Sequence, residues 1–403
     1  MSLQKGETNS NLSFTKRGYF DISHAFHLLI IACMLKNSLS IILIGILSVS
    51  CVNKDTTQFD SELQNRTFQK ADFRDKISLK AELFVFDDLG LPVRITVSEE
   101  ENKLFITSTG FDYWGRVFDL KTGRFLGEFS KKGQGPGELI TGLDIQVLSD
   151  QGLVAMNGAL NSRVDLFLLD EVNSNSKPLP VNSYNLKGLS VQQPKILNKD
   201  LLVDFKSSYK EGPKKRLKIV SSEGEVKHVF GDYPDEMALE TDIKHISEVF
   251  KANLNLSNSR SFIGIAYAYT DVIEIYNSQK DLIVRLWGPD QFESTLLAAN
   301  LGGGASSVSP TKNSRNAFGI PVLDDENLMV LYDGRSVLEE GYHQNEVLWF
   351  GIDGTPKYIL SLDVPIFAFD VDWKNMIMYG LTHNVEKDDI EVAIVKYDLN
   401  EIE

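Results

Sequence analysis

The chain has 403 residues, 42% of them hydrophobic, and a formal net charge of -15. That is ample apolar material for a large core, while the acidic balance argues against nucleic acid and against electrostatic attraction to anionic lipid. Its two cysteines, Cys33 and Cys51, both lie near the start, so the rest of the chain has no disulfide framework.

The apolar run SLSIILIGILSVS at 38–50 is too short to span a bilayer comfortably and suits the core of a signal peptide. Its end, Leu47-Ser48-Val49-Ser50-Cys51, resembles a bacterial lipobox with Ser48 where Leu is usual. The resemblance implies cleavage before Cys51 and lipidation of its thiol. Met34-Leu35-Lys36-Asn37 supplies the short positive segment that begins such a leader, so translation is expected to start at Met34, with 1–33 an upstream extension and 34–50 the signal peptide. A competing lipobox at Leu29-Ile30-Ile31-Ala32-Cys33 would strand a second apolar run just after the anchor. Taking away the leader's four basic and two acidic side chains moves the net charge from -15 to -17. Membrane contact would then rest on the lipid alone. Residues 51–76 are polar and predict a flexible tether carrying the lipidated Cys51.

From Ile77 onward, strand-like segments follow almost without pause. FDLKTGRFLGEF at 118–129 reads as two alternating strands around a turn at Lys121-Thr122-Gly123. Turns recur at 172–175, at Glu223-Gly224, near Gln279 and at Asp353-Gly354, and the first four are spaced by roughly the length of a four-stranded propeller blade. An all-β fold follows, a six-bladed β-propeller over 77–403. Its fourth blade shows three strands, at 261–269, 272–276 and 282–287. Residues 232–257 read as an insertion with a helical stretch at 236–250, and 300–314 as a low-complexity loop. The sixth blade lacks an outer strand, and the spare strand at 77–86 is expected to pair with it and close the ring.

Gly135-Pro136-Gly137-Glu138-Leu139, Gly142-Leu143-Asp144-Ile145 and Asn161-Ser162-Arg163-Val164 together resemble an NHL-type propeller repeat, with Met156 where an Asp is usual. Tyr267-Ala268-Tyr269-Thr270-Asp271-Val272, Gly288-Pro289-Asp290, Leu331-Tyr332-Asp333-Gly334, Phe350-Gly351-Ile352-Asp353-Gly354 and Val395-Lys396-Tyr397-Asp398-Leu399 are similar to the TolB-like six-bladed propeller lipoproteins of Bacteroidetes. That resemblance spans about 77–399 and implies no catalytic residues.

No phosphate cradle is read at 133–137, because another strand follows it and Glu138 would repel the anion. The basic run Lys206, Lys210, Lys214, Lys215, Arg216 and Lys218 reads as a solvated loop. His228, His245, His343 and His383 are scattered, and no nucleophilic triad is visible. The expected working surface is the face where the loops between second and third strands converge. It gathers Tyr113, Trp114, Arg116, Asn157, Asn161, Arg163, Tyr209 and Lys210, then Asp333, Arg335, Tyr342, His343, His383 and Asn384. Structural bracing by Arg163 and Trp114 is the competing role.

The sequence therefore predicts a monomeric outer-membrane lipoprotein of the cell envelope that binds a small ligand or an envelope protein, without a cofactor. Two alternatives stay open. One is a propeller hydrolase or lyase holding Ca²⁺ or Zn²⁺ on its axis, and the other a structural envelope component.

Overall fold

The structure, a computed structural model, describes residues 64–84, 89–158, 162–172, 177–186, 189, 191–205, 215–234, 249–302, 305–339, 344–384 and 391–402. They all belong to one unit, Phe59–Glu403.

The main-chain pattern is a succession of antiparallel meanders, the first five made by four strands in chain order and the sixth by three. Blade 1 comprises Pro92–Ser98, Lys103–Ser108, Tyr113–Asp119 and Phe125–Lys131. Blade 2 follows with Asp144–Leu148, Leu153–Gly158, Arg163–Leu168 and Asn182–Asn185. Blade 3 is Lys195–Asn198, Leu201–Phe205, Leu217–Ser221 and Val226–Phe230. Blade 4 is Ala252–Leu256, Phe262–Tyr267, Val272–Asn277 and Leu282–Trp287. Blade 5 has a short inner strand, Val322–Leu323, before Asn327–Tyr332, Glu346–Gly351 and Pro356–Leu362. Blade 6 runs Ala368–Asp372, Ile377–Asn384 and Glu391–Asp398. This is a six-bladed β-propeller.

The hairpins close by local chemistry. Asp119 Oδ1 accepts the N–H groups of Lys121 and Thr122 and the Thr122 hydroxyl, and Gly123 takes a φ of +69°. Asp353 does the same for Thr355, beside Gly354 at +82°. Both faces of each blade are apolar, so each seam between neighbours has its own core. Phe105, Phe129 and Phe167 fill the seam of blades 1 and 2, Tyr267 and Tyr276 that of blades 3 and 4, and Leu104, Phe118 and Leu381 the closing seam of blades 6 and 1.

The N-terminal segment departs from the expected tether and single closing strand. Asn65–Thr67 (β1) pairs in parallel with the outer strand of blade 4, and Asp75–Leu79 (β2) with that of blade 5. Glu82–Phe84 (β3) pairs antiparallel with Glu391–Asp398 and completes blade 6. Closure by an N-terminal strand therefore holds, and among the described residues it rests on Glu82–Phe84. The reason lies in apolar residues set in a polar stretch. Phe68 and Phe73 pack edge-on against Phe350, with centroids 5.2 and 5.1 Å away, and Leu79 enters the seam of blades 5 and 6. Lys70 and Lys76 both donate to Glu346, at 2.5 and 2.7 Å.

Two further expectations change. The insertion read at 232–257 contains the inner strand of blade 4, Ala252–Leu256, and the helical stretch read at 236–250 falls largely outside the described residues. The loop read at 300–314 is largely a hairpin, Leu297–Gly302 with Ala305–Ser309.

Candidate functional site: the central channel

The inner strands surround a cavity of about 500 Å³ that all six blades line. Blade 1 contributes 94–100, blade 2 most of 144–150, blade 3 Lys195, blade 4 255–260, blade 5 most of 320–325 and blade 6 367–373 except Asp372. The turns between first and second strands, with Glu100, Asp150, Asn258, Asp325 and Trp373, form its mouth.

The channel wall is polar because inner strands cross-link the blades there. Thr96 donates to Ile145 O in blade 2, and Gln146 exchanges two bonds with the Ile196 backbone in blade 3, at 2.9 and 2.8 Å. Gln193 reaches Asn253 and Leu254 in blade 4, while Asn255 donates to Pro321 O. Asp370 of blade 6 accepts Val97 N–H of blade 1 at 2.7 Å. Polar side chains at alternate positions thus bridge five of the six seams.

At the deep end, where the inner strands begin, Asp144 binds Lys195 Nζ at 2.5 Å and Arg94 Nη1 at 3.3 Å. Burial alone would raise its carboxyl, but the two cations outweigh that and hold it below the usual carboxylate range. Burial pushes Asp370 up to about 7, against the pull of the Val97 and Val371 N–H groups and of Lys195. At the mouth, Arg260 of blade 4 donates to Asp150 of blade 2 at 2.6 Å, and Ser259 to Asp325 of blade 5 at 2.6 Å. Arg260 adopts a φ of +63°, a strained value for a residue with a side chain.

Beside the channel lies a recess of about 10 Å³, with Asp144, Gln146 and Lys195 as shared walls and Asn157 as the fourth polar one. Asn157 is 3% exposed, and neither atom of its amide has a hydrogen-bond partner among the described residues. Asn157 and Asp144 are cross-strand partners, so their side chains share a face.

The other residues expected at the working surface lie elsewhere. Tyr113, Trp114 and Arg116 belong to the third strand of blade 1 and not to a loop. That strand begins earlier than the apolar alternation suggests, because Gly115 leaves its Cβ position to the Phe129 ring. Arg116 is 7% exposed, its guanidinium 3.8 Å from the Phe111 ring centroid and 4.5 Å from that of Phe125. Trp114 donates to Leu139 O at 2.9 Å and covers Gly142, and Tyr113 is buried beneath Lys177. Arg163 binds Asp165 and donates to Glu138 O at 2.7 Å, bracing the glycine linker. Arg335 pairs with Asp333 at 2.6 Å, and His383 stacks on Phe367. Asn384 ends a strand. None of these lines the channel. Asn161, Tyr209, Tyr342, His343 and Cys51 lie outside the described residues. Among the described residues, no group of three or more His, Cys, Asp or Glu side chains is placed to hold a metal ion.

Sequence reasoning passed over Arg94, Asp144, Lys195, Arg260, Asp370 and Trp373. A signal existed: each of the four in strands is a charged residue flanked by two apolar ones, as in Val93-Arg94-Ile95 and Phe369-Asp370-Val371.

No curated protein matches the sequence. Among solved structures, a DUF4221-family protein of Bacteroides vulgatus ATCC 8482 aligns with a TM-score of 0.50 at 10% identity, covering 79% of this chain and 97% of its own. A Bacteroides fragilis NCTC 9343 protein, named as an exported one, gives 0.48 at 11% identity over 83% and 98%. The TolB-like 6-blade propeller-like family model matches residues 67–374, and by that match this chain belongs to the family.

Proposed function

We propose that this protein is an exported, lipid-anchored binding module of the cell envelope whose small polar ligand occupies the central channel. The channel carries the reading. It is a concave site lined by every blade, with buried polar groups converging inside it and strained, paired residues at its mouth. Among the described residues at the opposite face, Trp114, Arg116 and Arg335 are already engaged by their own neighbours.

Export and anchoring rest on the apolar run at 38–50 and the lipobox-like Leu47-Ser48-Val49-Ser50-Cys51. The test takes protein extracted from membranes of its native host. Intact mass should give an acylated chain beginning at Cys51, and a thermal-shift screen of polar metabolites should yield a ligand whose stabilisation is lost in Trp373→Ala. A mature chain without lipid ends the anchoring. A ligand lost in Trp114→Ala but kept in Trp373→Ala moves the site to the opposite face.

A further inference from the structure

Resting on the channel reading, we infer that the ligand is a neutral oligosaccharide that seats one hydroxyl in the recess at Asn157, at the deep end, and lays the ring of a further unit against Trp373 at the mouth. The recess has room for about one water-sized group. Its unsatisfied wall is an amide that both donates and accepts, and leaving both functions unmet in a buried place is costly. Lys195 beside it donates and Asp144 accepts. A hydroxyl is the one-atom group of an organic ligand that answers both requirements at once. A carboxylate only accepts and is too large for the recess, and an ammonium only donates.

The charges of the channel point the same way. Arg94 and Lys195 are held by Asp144, Arg260 by Asp150, and both Asp370 oxygens take backbone N–H groups. An anionic ligand would have to break one of these pairs, whereas a polyol can bond to them as they stand and offers hydroxyl donors to Glu99, Glu100 and Asp325, which also line the channel. Trp373, half-buried in the mouth turn of blade 6 and backed by Trp349 at 6.4 Å, supplies the flat apolar surface that the C–H face of a pyranose ring needs. The volume of about 500 Å³ lies within the range of small-ligand pockets and suits a sugar of two or three units.

The test is a glycan array, followed by calorimetry with the binding saccharide on the native protein and two variants. Asn157→Leu removes an amide with no partner to lose, so its melting temperature should stay level or rise while affinity falls about ten-fold. The deoxy-sugar lacking the seated hydroxyl should bind the native protein about ten-fold more weakly and should not distinguish it from Asn157→Leu. Trp373→Ala should abolish binding. Arginine and citrate serve as charged probes. If either binds in a Trp373-dependent way while the array is silent, the saccharide inference falls and the channel reading stands. If neither sugars nor charged probes bind, or binding ignores both Asn157 and Trp373, both fall.

Discussion

On the face where second and third strands meet, Arg163 is committed to Asp165 and the linker carbonyl, Arg335 to Asp333, and Arg116 to a cage of phenylalanines. Along the axis the polar side chains are deployed differently. They reach across seams to the next blade's backbone, and at Asn157 an amide is left with nothing to bind. Charged and aromatic residues on convergent segments are therefore a poor guide to a binding face until their local partners are known. An unmet buried amide that faces a cavity is the more telling mark, because a ligand can reach it there.

The comparison breaks if the residues of the first face can be removed without structural loss. Arg116→Ala leaves a hole among Phe111, Phe118 and Phe125 and should destabilise the fold by about 2–3 kcal/mol, and Trp114→Ala by about 3 kcal/mol. Urea melts of both variants check this. A variant that melts like the parent would mean that its side chain is held for something other than packing.

A smaller effect sharpens the account of the axis. The folded-state carboxyl of Asp370, at about 7, lies above its unfolded value of 3.8. Its contribution is therefore complete below the unfolded value and is lost as pH rises through 7. Asp271, also raised to about 7, acts in the same direction. Between pH 5 and pH 8 the melting temperature should fall, and Asp370→Asn should flatten that fall by about 2 °C. An unchanged slope would show that Asp370 does not titrate there. The variant itself starts lower, since its amide N–H₂ opposes one of the two N–H groups.

The smallest effect concerns the mouth. Asp150 is exposed, so Asp150→Asn should leave the melting temperature within about 1 °C of the parent. Freed from its partner, Arg260 no longer spans from blade 4 to blade 2, and ligand association measured by stopped flow should become several-fold faster. An unaltered rate would mean that the pair does not lie in the path of entry.

Much of this architecture was legible in the sequence. Turns at Thr122, Glu223 and Asp353 marked the blades because an Asp or Gly turn between alternating strands has few other uses. The tether was misread because Phe68 and Phe73 stand alone among polar residues, and only a ring that already exists can offer them Phe350. The inner strand of blade 4, LNL within 252–256, was too short to separate from its surroundings. As for the site, Asn157 was singled out for its place beside the loop between second and third strands, where the structure has it, but not for its pairing with Asp144. Arg94, Asp144 and Lys195 come together only when three blades are placed around one axis, and no spacing along the chain encodes that.

The arrangement of β1, β2 and β3 also sets an order of events during synthesis. Each strand is made early, but its partner belongs to blade 4, 5 or 6, and the last partners, Ile394–Lys396, are close to the end of the chain. Contacts so distant in sequence form slowly, so the ring cannot close until blade 6 has been made. A product cut short before blade 6 would carry an open seam with Leu104 and Phe118 uncovered. Synthesis of blade 6 and closure of the ring thus become a single checkpoint that separates closed molecules from open fragments.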